Sequence, residues 1–411
     1  MTPRVHLDDY VGVVGEAAVE EIRALARPLE GRSALMVNST AVGGGVAELL
    51  NRLIPLLEDL EIPTRWEVIR GGGEFFGVTK AIHNALHGTR VEITKPMLEL
   101  FQEVNAENAA ALDLDADLVV IHDPQPVALI TPRSNGRGRW VWRCHVDISH
   151  PQSDVWTFLR QYVVQYDASV FSAPEFSQRL PITQYMIHPA IDPLAEKNRE
   201  MEPGEVEEIL TRLGIRDDRP IVTQVSRFDR LKDPVGVIRA YRLARRTVDC
   251  QLVLAGGGAT DDPEGSIVLE EVRREADGDP LIHVLELPPF SDREINALQR
   301  ASAVVVQKSL REGFGLTVTE ALWKKRPVIA SAVGGIPLQI VHNLTGLLVH
   351  SIEGTAHRIR SLLRDPEFAR RLGENGREYV KTRFLTTSNL QAWLALAISL
   401  MHPGERIIRL A

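Results

Sequence analysis

The sequence predicts an α/β protein with two doubly wound domains, each built on a parallel sheet. Strand-like and helix-like segments alternate along nearly all of the 411 residues. Several strand segments are continuous runs of Val, Ile and Leu, which is typical of parallel strands that helices cover on both faces. The alternation pauses once, at residues 189–220, where prolines and charged residues cluster. We therefore predict two Rossmann-like domains in series, facing each other across a cleft.

The strands of the first series are separated by amphipathic helices. Apolar side chains from Val46 to Leu60 recur at helical spacing and predict one such helix. Pro55 lies inside that stretch, where a proline can kink a helix. The strands are predicted at Ala34–Ser39, Trp66–Arg70, Leu118–Asp123, Trp140–Asp147 and Ala168–Ala173.

The second series follows a helix predicted at Pro203–Leu213. Its strands are predicted at Ile221–Phe228, Gln251–Ala255, Leu281–Leu287, Ala303–Lys308, Pro327–Ala332 and Thr345–Val349. A last apolar helix, Leu385–Met401, is predicted to return to the first domain. The expected domains are therefore residues 1–190 with 385–411, and residues 191–384.

Composition excludes several classes of protein. Asp and Glu outnumber Lys and Arg by 55 to 47, so the chain as a whole is not expected to bind nucleic acid. Two cysteines cannot form a disulfide framework. The first ten residues lack the apolar run of a secretory signal, and the apolar tract Ala392–Met401 is about half the length of a membrane span. We expect a soluble, cytoplasmic protein with no membrane partner.

The strongest chemical signal is Arg311–Leu322, which follows a predicted strand and opens a helix. Gly313 and Gly315 allow close backbone approach to a ligand, and a helix start offers N–H groups and a positive dipole end to phosphate. Glu312 and Glu320 can accept hydrogen bonds from sugar hydroxyls. The segment favours a ligand with a diphosphate between two polyols, and the alternative is a strand-to-helix turn with a capping glutamate.

A second segment, Gln224–Pro234, also joins a predicted strand to a helix. Arg227 and Lys232 place two cations a turn apart, a guanidinium fork and a point charge that suit phosphate oxygens. We expect both cations to neutralise a phosphate, and a solvated basic loop is the alternative.

Three glycines follow the first predicted strand. Gly43, Gly44 and Gly45 permit close contact between the backbone and an anion or a sugar. The segment matches neither the Gly-x-Gly-x-x-Gly fingerprint nor a Gly-Lys-Ser/Thr loop. A plain flexible turn therefore stays open as the alternative.

Polar residues end two strands of the first domain. Asp123 is placed to bind acceptor hydroxyls, and His145 a donor hydroxyl, with a capping Asp and a packed His as the alternative. Neither the His83–His87 pair nor the cluster around His145 completes a metal site, so no metal centre is predicted.

These motifs are similar to those of known enzymes. Arg311–Leu322 resembles the Glu-x7-Glu signature of retaining family 4 glycosyltransferases, which have the GT-B fold, and Ser226–Pro234 resembles their phosphate loop. N-terminal segments resemble those of the trehalose glycosyltransferring synthases, so that the resemblance covers residues 8–400. These segments are Asp9–Gly15, Val37–Thr40, Glu74–Lys80, His83–Leu86, His122–Pro126 and Cys144–Ser149.

The resemblance implies a reversible reaction in which nucleoside-diphosphate glucose and D-glucose give α,α-trehalose and the nucleoside diphosphate. It implies an acceptor-binding N-terminal domain, a C-terminal domain that binds the nucleotide sugar, and a homodimer. No cofactor is required, and stimulation by Mg²⁺ is compatible with the reaction. The partners are small molecules: the nucleotide sugar, glucose and trehalose.

Site residues are carried over from the same resemblance. Glu312, Arg227, Lys232 and His145 are expected to act in catalysis. Asp123 and Gln125 are expected to orient the acceptor glucose. The expected donor-binding residues are Gly43, Gly44, Gly45, Gly313, Phe314, Gly315, Leu316, Thr317 and Glu320.

Four other functions stay open. A trehalose phosphorylase would use inorganic phosphate, although such enzymes are usually longer chains. A glucosyltransferase could make another disaccharide of the sucrose type. A non-catalytic sugar-nucleotide sensor could keep the fold, since fold alone does not determine function. A nucleoside-diphosphate-sugar 2-epimerase is the fourth.

Overall fold

The predicted α/β class is confirmed by the structure, a computed structural model that describes residues 5–41, 45–133, 138–257 and 263–402. The chain forms two compact units. Unit 1 comprises Met1–Ala190 with Thr386–Ala411, and unit 2 comprises Ile191–Leu385. Within the described residues, each unit holds one six-stranded sheet whose paired strands are all parallel.

Unit 1 alternates strands and helices and ends with a helix from the C-terminal end of the chain. Its elements are α1 (Val11–Val14), α2 (Glu16–Ala26), β1 (Ala34–Asn38), α3 (Gly45–Asp59), β2 (Thr64–Val68), α4 (Gly73–Leu86), α5 (Lys95–Ala111), β3 (Leu118–His122), β4 (Arg139–Arg143), α6 (Ser153–Val163), β5 (Ala168–Phe171), β6 (Thr183–Met186) and the C-terminal helix (Thr386–Met401).

The sheet of unit 1 has the order β2-β1-β3-β4-β5-β6. β1 and β3 are buried along their whole length, as their apolar sequences predict. The predicted helix is α3, which runs through Pro55 and buries Leu50, Leu53 and Leu57. The C-terminal helix packs against α2 and α3.

Unit 2 repeats the alternation with a different strand order. Its elements are α7 (Pro203–Arg212), β7 (Ile221–Val225), α8 (Pro234–Arg245), β8 (Gln251–Gly256), α9 (Pro263–Ala276), β9 (Ile282–Glu286), α10 (Asp292–Ala301), β10 (Val304–Gln307), α11 (Leu316–Trp323), β11 (Val328–Ser331), α12 (Ile336–Gln339), β12 (Leu347–Val349), α13 (Ile352–Arg364) and α14 (Pro366–Arg383), which makes the C-terminal helix of unit 1 α15.

The sheet of unit 2 has the order β9-β8-β7-β10-β11-β12, which is the Rossmann order. Helices cover both of its faces. Leu252 and Leu254 of β8 belong to one apolar cluster, together with side chains of α8, α9 and α13. The intervening Val253 belongs to another, together with side chains of α7 and α10. Unit 2 is therefore doubly wound, as predicted.

Two predicted strands are too long, the strand predicted at Trp66–Arg70 lies two residues earlier, at Thr64–Val68, and one strand was missed. The strand predicted at Trp140–Asp147 ends at Arg143, so His145 lies in a loop, and the one predicted at Ile221–Phe228 ends at Val225. β6 was not predicted because its sequence, Thr-Gln-Tyr-Met, is polar and only partly buried at the edge of the sheet.

Candidate functional site

In unit 2, two of the predicted motifs follow neighbouring strands. β7 and β10 pair with each other, and the strand order reverses between them. In open α/β sheets, ligands bind beyond the carboxyl ends of the strands at this kind of switch point. The segment after β7 contains Lys232, and the segment after β10 contains Glu312. Two motifs about 80 residues apart in sequence therefore meet at one place.

The centre of this site is an ion pair between Lys232 and Glu312. The Nζ atom of Lys232 lies 2.7 Å from both carboxylate oxygens of Glu312. Ser309 Oγ donates to Glu312 Oε2 at 3.0 Å, and Gln307 Nε2 reaches the same oxygen at 3.4 Å. Glu312 is buried, and the side chain of Lys232 is 18% exposed. The pair is therefore held rigidly and still reaches the surface through the lysine.

Local hydrogen bonds fix the backbone that carries Lys232. Asp229 accepts from the Leu231 N–H at 2.7 Å and starts a short 3₁₀ helix that ends at Lys232. Asp233 then adopts a left-handed conformation, with φ 47°, and caps α8 by accepting from the Gly236 N–H. Lys308 forms an ion pair with Asp233. The sequence Asp-x-x-Lys-Asp-Pro therefore aims the lysine before the helix begins.

Arg227 is placed differently from Lys232. Its guanidinium lies 3.6 Å from the carboxylate of Asp229, and its side chain is 60% exposed. The two predicted cations are thus one exposed guanidinium and one ammonium paired with a buried carboxylate.

The loop after Glu312 depends on glycines. Gly315 has φ 84° and caps α11, which begins at Leu316 as predicted. Gly334 has φ 54°, and a Cβ atom there would lie 1.7 Å from the carbonyl oxygen of Glu312. The Gly335 N–H donates to the Gly313 carbonyl at 2.9 Å. The backbone around Glu312 therefore tolerates no side chain at position 334.

The other donor-binding residues predicted in this segment lie around the same loop and helix. Phe314 is buried, and its carbonyl accepts from Gln339 Nε2 at 2.5 Å. Thr317 lies in the first turn of α11, and Glu320 is buried one turn later, 4.0 Å from Lys197 Nζ.

Sequence reasoning missed a buried lysine at the C-terminal end of α11, Lys324. Lys324 donates to Asn198 Oδ1 at 3.0 Å, Gln299 Oε1 at 2.7 Å and the Glu320 carbonyl at 3.2 Å. Burial lowers the pKa of Lys324 to about 7. The lysine joins the helix that carries Glu320 to two neighbouring segments of unit 2.

In unit 1, the corresponding switch point lies between β1 and β3. The glycine segment follows β1, but Gly43 and Gly44 lie outside the described residues. Gly45 is the first residue of α3.

Asp123 follows β3 and forms hydrogen bonds to the last residue of β4 and to the loop after it. It has φ 67°, its N–H donates to the Arg143 carbonyl at 2.7 Å, and its Oδ1 accepts from the His145 N–H at 2.8 Å. Burial raises the pKa of Asp123 to about 6. The structure thus brings together Asp123 and His145, which are two of the predicted residues.

Gln125 lies in the same turn. Its carbonyl accepts from Asn105 Nδ2 at 3.0 Å. Its side-chain Oε1 is buried and has no hydrogen-bond partner among the described residues. The amide oxygen is therefore available to accept a hydrogen bond from a ligand.

His145 belongs to a cluster that sequence reasoning did not find. His122 Nδ1 lies 3.0 Å from His145 Nε2, and Arg143 Nη2 donates to Ser172 Oγ at 3.0 Å. Burial and the Arg143 cation lower the pKa of His122 to about 3 and that of His145 well below its ordinary value. Both imidazoles are therefore neutral at neutral pH. The signal in the sequence was a cation, Arg143, at the end of an apolar strand.

Metal-binding groups do not gather in the part of the chain that the structure describes. Within it, no three His, Cys, Asp or Glu side chains are arranged to hold a metal ion. Both cysteines are buried and free, and burial raises the pKa of the Cys144 thiol. Across the described ranges, no helix combines the length and apolar character that a bilayer crossing needs.

Comparison with protein families gives two matches. Residues 36–178 match the N-terminal domain of trehalose synthase, and residues 205–379 match the glycosyl transferases group 1 family.

Similar sequences cover nearly the whole chain. A trehalose synthase of Thermococcus litoralis is 45% identical over 95% of this chain and 96% of its own length. A trehalose synthase of Rubrobacter xylanophilus is 42% identical over 96% of this chain and 97% of its own length. A trehalose phosphorylase of Pleurotus pulmonarius is 30% identical over 98% of this chain but only 62% of its own length.

Solved structures show the same fold. An α,α-trehalose-phosphate synthase (UDP-forming) from Burkholderia xenovorans, in complex with glucose-6-phosphate, matches with a TM-score of 0.72 and 14% identity, over 90% of this chain and 100% of that one. An Escherichia coli trehalose-6-phosphate protein bound with UDP-2-fluoro glucose matches with a TM-score of 0.69 and 16% identity, over 89% and 98% of the two chains. The GT-B fold predicted from the sequence is confirmed.

Proposed function

Because this chain belongs to the trehalose synthase family of glycosyltransferases, we propose that it makes α,α-trehalose from a nucleoside-diphosphate glucose and D-glucose. Glucose is transferred with retention at its anomeric carbon, and the reaction also runs in reverse. The observation that carries this proposal is the Lys232–Glu312 pair at the switch point of unit 2.

The pair offers groups for both parts of an activated sugar. An ammonium has three N–H donors, so Lys232 can bond to Glu312 and to a phosphate oxygen at once. Glu312 can accept hydrogen bonds from glucose hydroxyls, while backbone N–H groups at 313–315 and the start of α11 face the diphosphate. Arg227 supplies a second cation from the exposed side of the loop, and Glu320 holds the ribose.

The chemistry needs charge stabilisation at the leaving group. The bond between the anomeric carbon and the phosphate oxygen breaks, and the electron pair goes to the nucleoside diphosphate. The acceptor oxygen bonds to the same face of the anomeric carbon, and its proton passes to the departing phosphate oxygen. Lys232 and Arg227 stabilise the charge that develops, which is where such groups contribute most to a rate.

Unit 1 supplies the polar groups for uncharged sugar atoms. In this proposal His145 binds the outer hydroxyl of the donor glucose, and Asp123 and Gln125 orient the acceptor glucose. The buried Oε1 of Gln125 and the neutral His145 ring support these roles, because the amide oxygen can accept from a hydroxyl and a neutral imidazole has one donor and one acceptor nitrogen. In this proposal the Gly43–Gly45 segment also binds the donor, and its first two glycines lie outside the described residues.

A trehalose phosphorylase is the second candidate, because one such enzyme is 30% identical to almost the whole chain. Incubation of the full chain with trehalose and UDP, ADP, GDP or inorganic phosphate separates the two. The synthase gives nucleoside-diphosphate glucose with one of the nucleotides. Glucose 1-phosphate formed only with inorganic phosphate would identify the phosphorylase, and no product with any of the four would contradict both.

Three further predictions accompany this function: a homodimer, a cytoplasmic location and activity without a required cofactor. Light scattering of the purified chain tests the first. Activity after exhaustive treatment with EDTA, and again after addition of Mg²⁺, tests the last.

A further inference from the structure

Two histidines of unit 1 form a hydrogen-bonded pair with fixed geometry. His122 is the last residue of β3 and is 1% exposed. Its Nδ1 lies 3.0 Å from Nε2 of His145, with ring planes 15° apart. The backbone N–H of His145 is held by Asp123, and the His122 ring lies beside Trp393 of α15, with centroids 6.5 Å apart. The two rings therefore lie side by side within hydrogen-bond distance.

One proton lies between the two nitrogens, and it belongs to one of them. Both rings are neutral, so each carries one N–H and one lone pair. Either His122 Nδ1 donates to His145 Nε2, or the reverse holds. The choice decides what His145 has left for a ligand: an Nδ1–H donor in the first case, and a bare Nδ1 acceptor in the second.

The environment of the other His122 nitrogen favours the first arrangement. His122 Nε2 is buried and has no hydrogen-bond partner in the described part of the chain. If Nε2 carried the proton, a buried N–H would stay unpaired beside the cation of Arg143, which is the register partner of His122. If Nε2 carries the lone pair, no buried N–H is left unpaired on the His122 ring next to that cation. Arg143 Nη1 is itself buried and lacks a partner among the described residues, and it can only donate.

We propose that His122 is a positioning residue that donates its Nδ1–H to His145 and so holds His145 in the tautomer that presents Nδ1–H to a sugar oxygen. This inference rests on the proposed function only for the identity of the ligand. The charged group that faces both rings is Arg143, and Asp123 accepts from the backbone N–H of His145.

The tautomers can be read directly by NMR. The full chain is labelled with ¹⁵N-histidine, and long-range ¹H–¹⁵N spectra show which ring nitrogen of each histidine is protonated. His122→Asn and His145→Asn assign the two rings by the loss of their signals. We expect protonated Nδ1 on both rings in the wild type. Protonated Nε2 on His145 would overturn the proposal.

Two substitutions test the role of His122 in setting the tautomer. His122→Phe removes the donor, and His145 should then shift toward the Nε2–H form. His122→Asn offers an amide N–H close to the position of Nδ1 and should keep His145 in the Nδ1–H form. A His145 tautomer that is the same in all three proteins would overturn the proposal. These spectra need no turnover, so failure of the proposed function cannot be mistaken for failure of this inference.

A kinetic readout addresses the sugar contact. The probe is the 6-deoxy-6-fluoro analogue of the best nucleoside-diphosphate glucose, whose fluorine accepts but cannot donate a hydrogen bond. The ratio of kcat/KM for the natural donor to that for the analogue should rise several-fold from the wild type to His122→Phe and stay near the wild-type value in His122→Asn. An equal ratio in all three proteins would show that His145 does not donate to the 6-hydroxyl oxygen of the donor glucose.

Discussion

The two switch points of this molecule lie at equivalent places in their sheets, but they differ in charge. The switch point of unit 2 carries an ion pair, and that of unit 1 carries two neutral imidazoles. In unit 2, an ammonium and a carboxylate face each other at 2.7 Å, and the ammonium remains partly exposed. In unit 1, burial keeps two imidazoles neutral, and it raises the pKa of Asp123 to about 6. Parallel sheets present their loops in the same way in both units, so the difference lies entirely in the side chains that follow the strands.

This difference matches the two parts of the proposed substrate set. A diphosphate needs full charges that can stabilise an anion, and unit 2 supplies them. Sugar hydroxyls need groups that both donate and accept, and the two neutral imidazoles of unit 1 can do both. The exception in unit 1 is Arg143, a cation that is 1% exposed and that adds to the effect of burial in lowering the pKa of its two histidine neighbours.

Removing a cation from unit 2 should have the largest effect. We expect Lys232→Ala and Arg227→Ala each to lower kcat by roughly 10²-fold or more, because each cation contributes about 3 kcal/mol at the transition state. Steady-state kinetics of trehalose formation measure this. Lys95→Ala is the control, since Lys95 is an exposed lysine of unit 1 that lies 3.3 Å from Glu99. Near-normal turnover in both Lys232→Ala and Arg227→Ala would remove the basis for contrasting the two sites.

A methyl group at position 334 should damage the charged site through its backbone. In Gly334→Ala the new Cβ would lie 1.7 Å from the Glu312 carbonyl, and φ of 54° is strained for alanine. We expect a loss of about 2 kcal/mol or more in the free energy of unfolding, together with a lower kcat. The matched control is Gly204→Ala in α7, where a Cβ would meet nothing within 4 Å. Urea unfolding measures the stability of both variants. A midpoint for Gly334→Ala no lower than that of Gly204→Ala would mean that the loop adjusts to the methyl group without cost.

The free energy of unfolding at acid pH should show that the fold keeps His122 of unit 1 neutral. His122 has a pKa of about 3 in the folded chain against an ordinary 6.5, so between these values the unfolded chain binds the extra proton. The free energy of unfolding therefore falls as the pH falls below about 6.5, by about 2 kcal/mol at pH 5 from this residue alone. Asp123 acts in the opposite direction, because its raised pKa gives the folded chain the extra proton between about pH 4 and 6.

Two variants isolate the contribution of His122 to the pH dependence of stability. His122→Asn should unfold with a shallower loss of stability between pH 7 and pH 5 than the wild type. His357→Asn, which changes an exposed histidine of α13, should follow the wild type. Chemical unfolding at a series of pH values measures the three proteins. Parallel curves for His122→Asn and the wild type would show that His122 is not held neutral by the fold.

Local sequence was sufficient to predict much of this molecule. Apolar runs predicted the sheet strands except β6, which is polar and lies at an edge. The glycines before Leu316 predicted where α11 begins. The predicted strand ends were wrong where an apolar run continues into a loop, as it does beyond Arg143. These features depend on residues close together in sequence, so the sequence alone carries the information.

The partners of those residues were decided by the tertiary structure. The sequence determined by itself that Lys232 and Glu312 each follow a strand, and that His122 ends one. Only the strand order placed β7 beside β10 and β3 beside β4, which brought Lys232 to Glu312 and His122 to His145. The order in which parallel strands pair depends on how the connecting helices cross the sheet and pack, which is a property of the whole core and of no single segment.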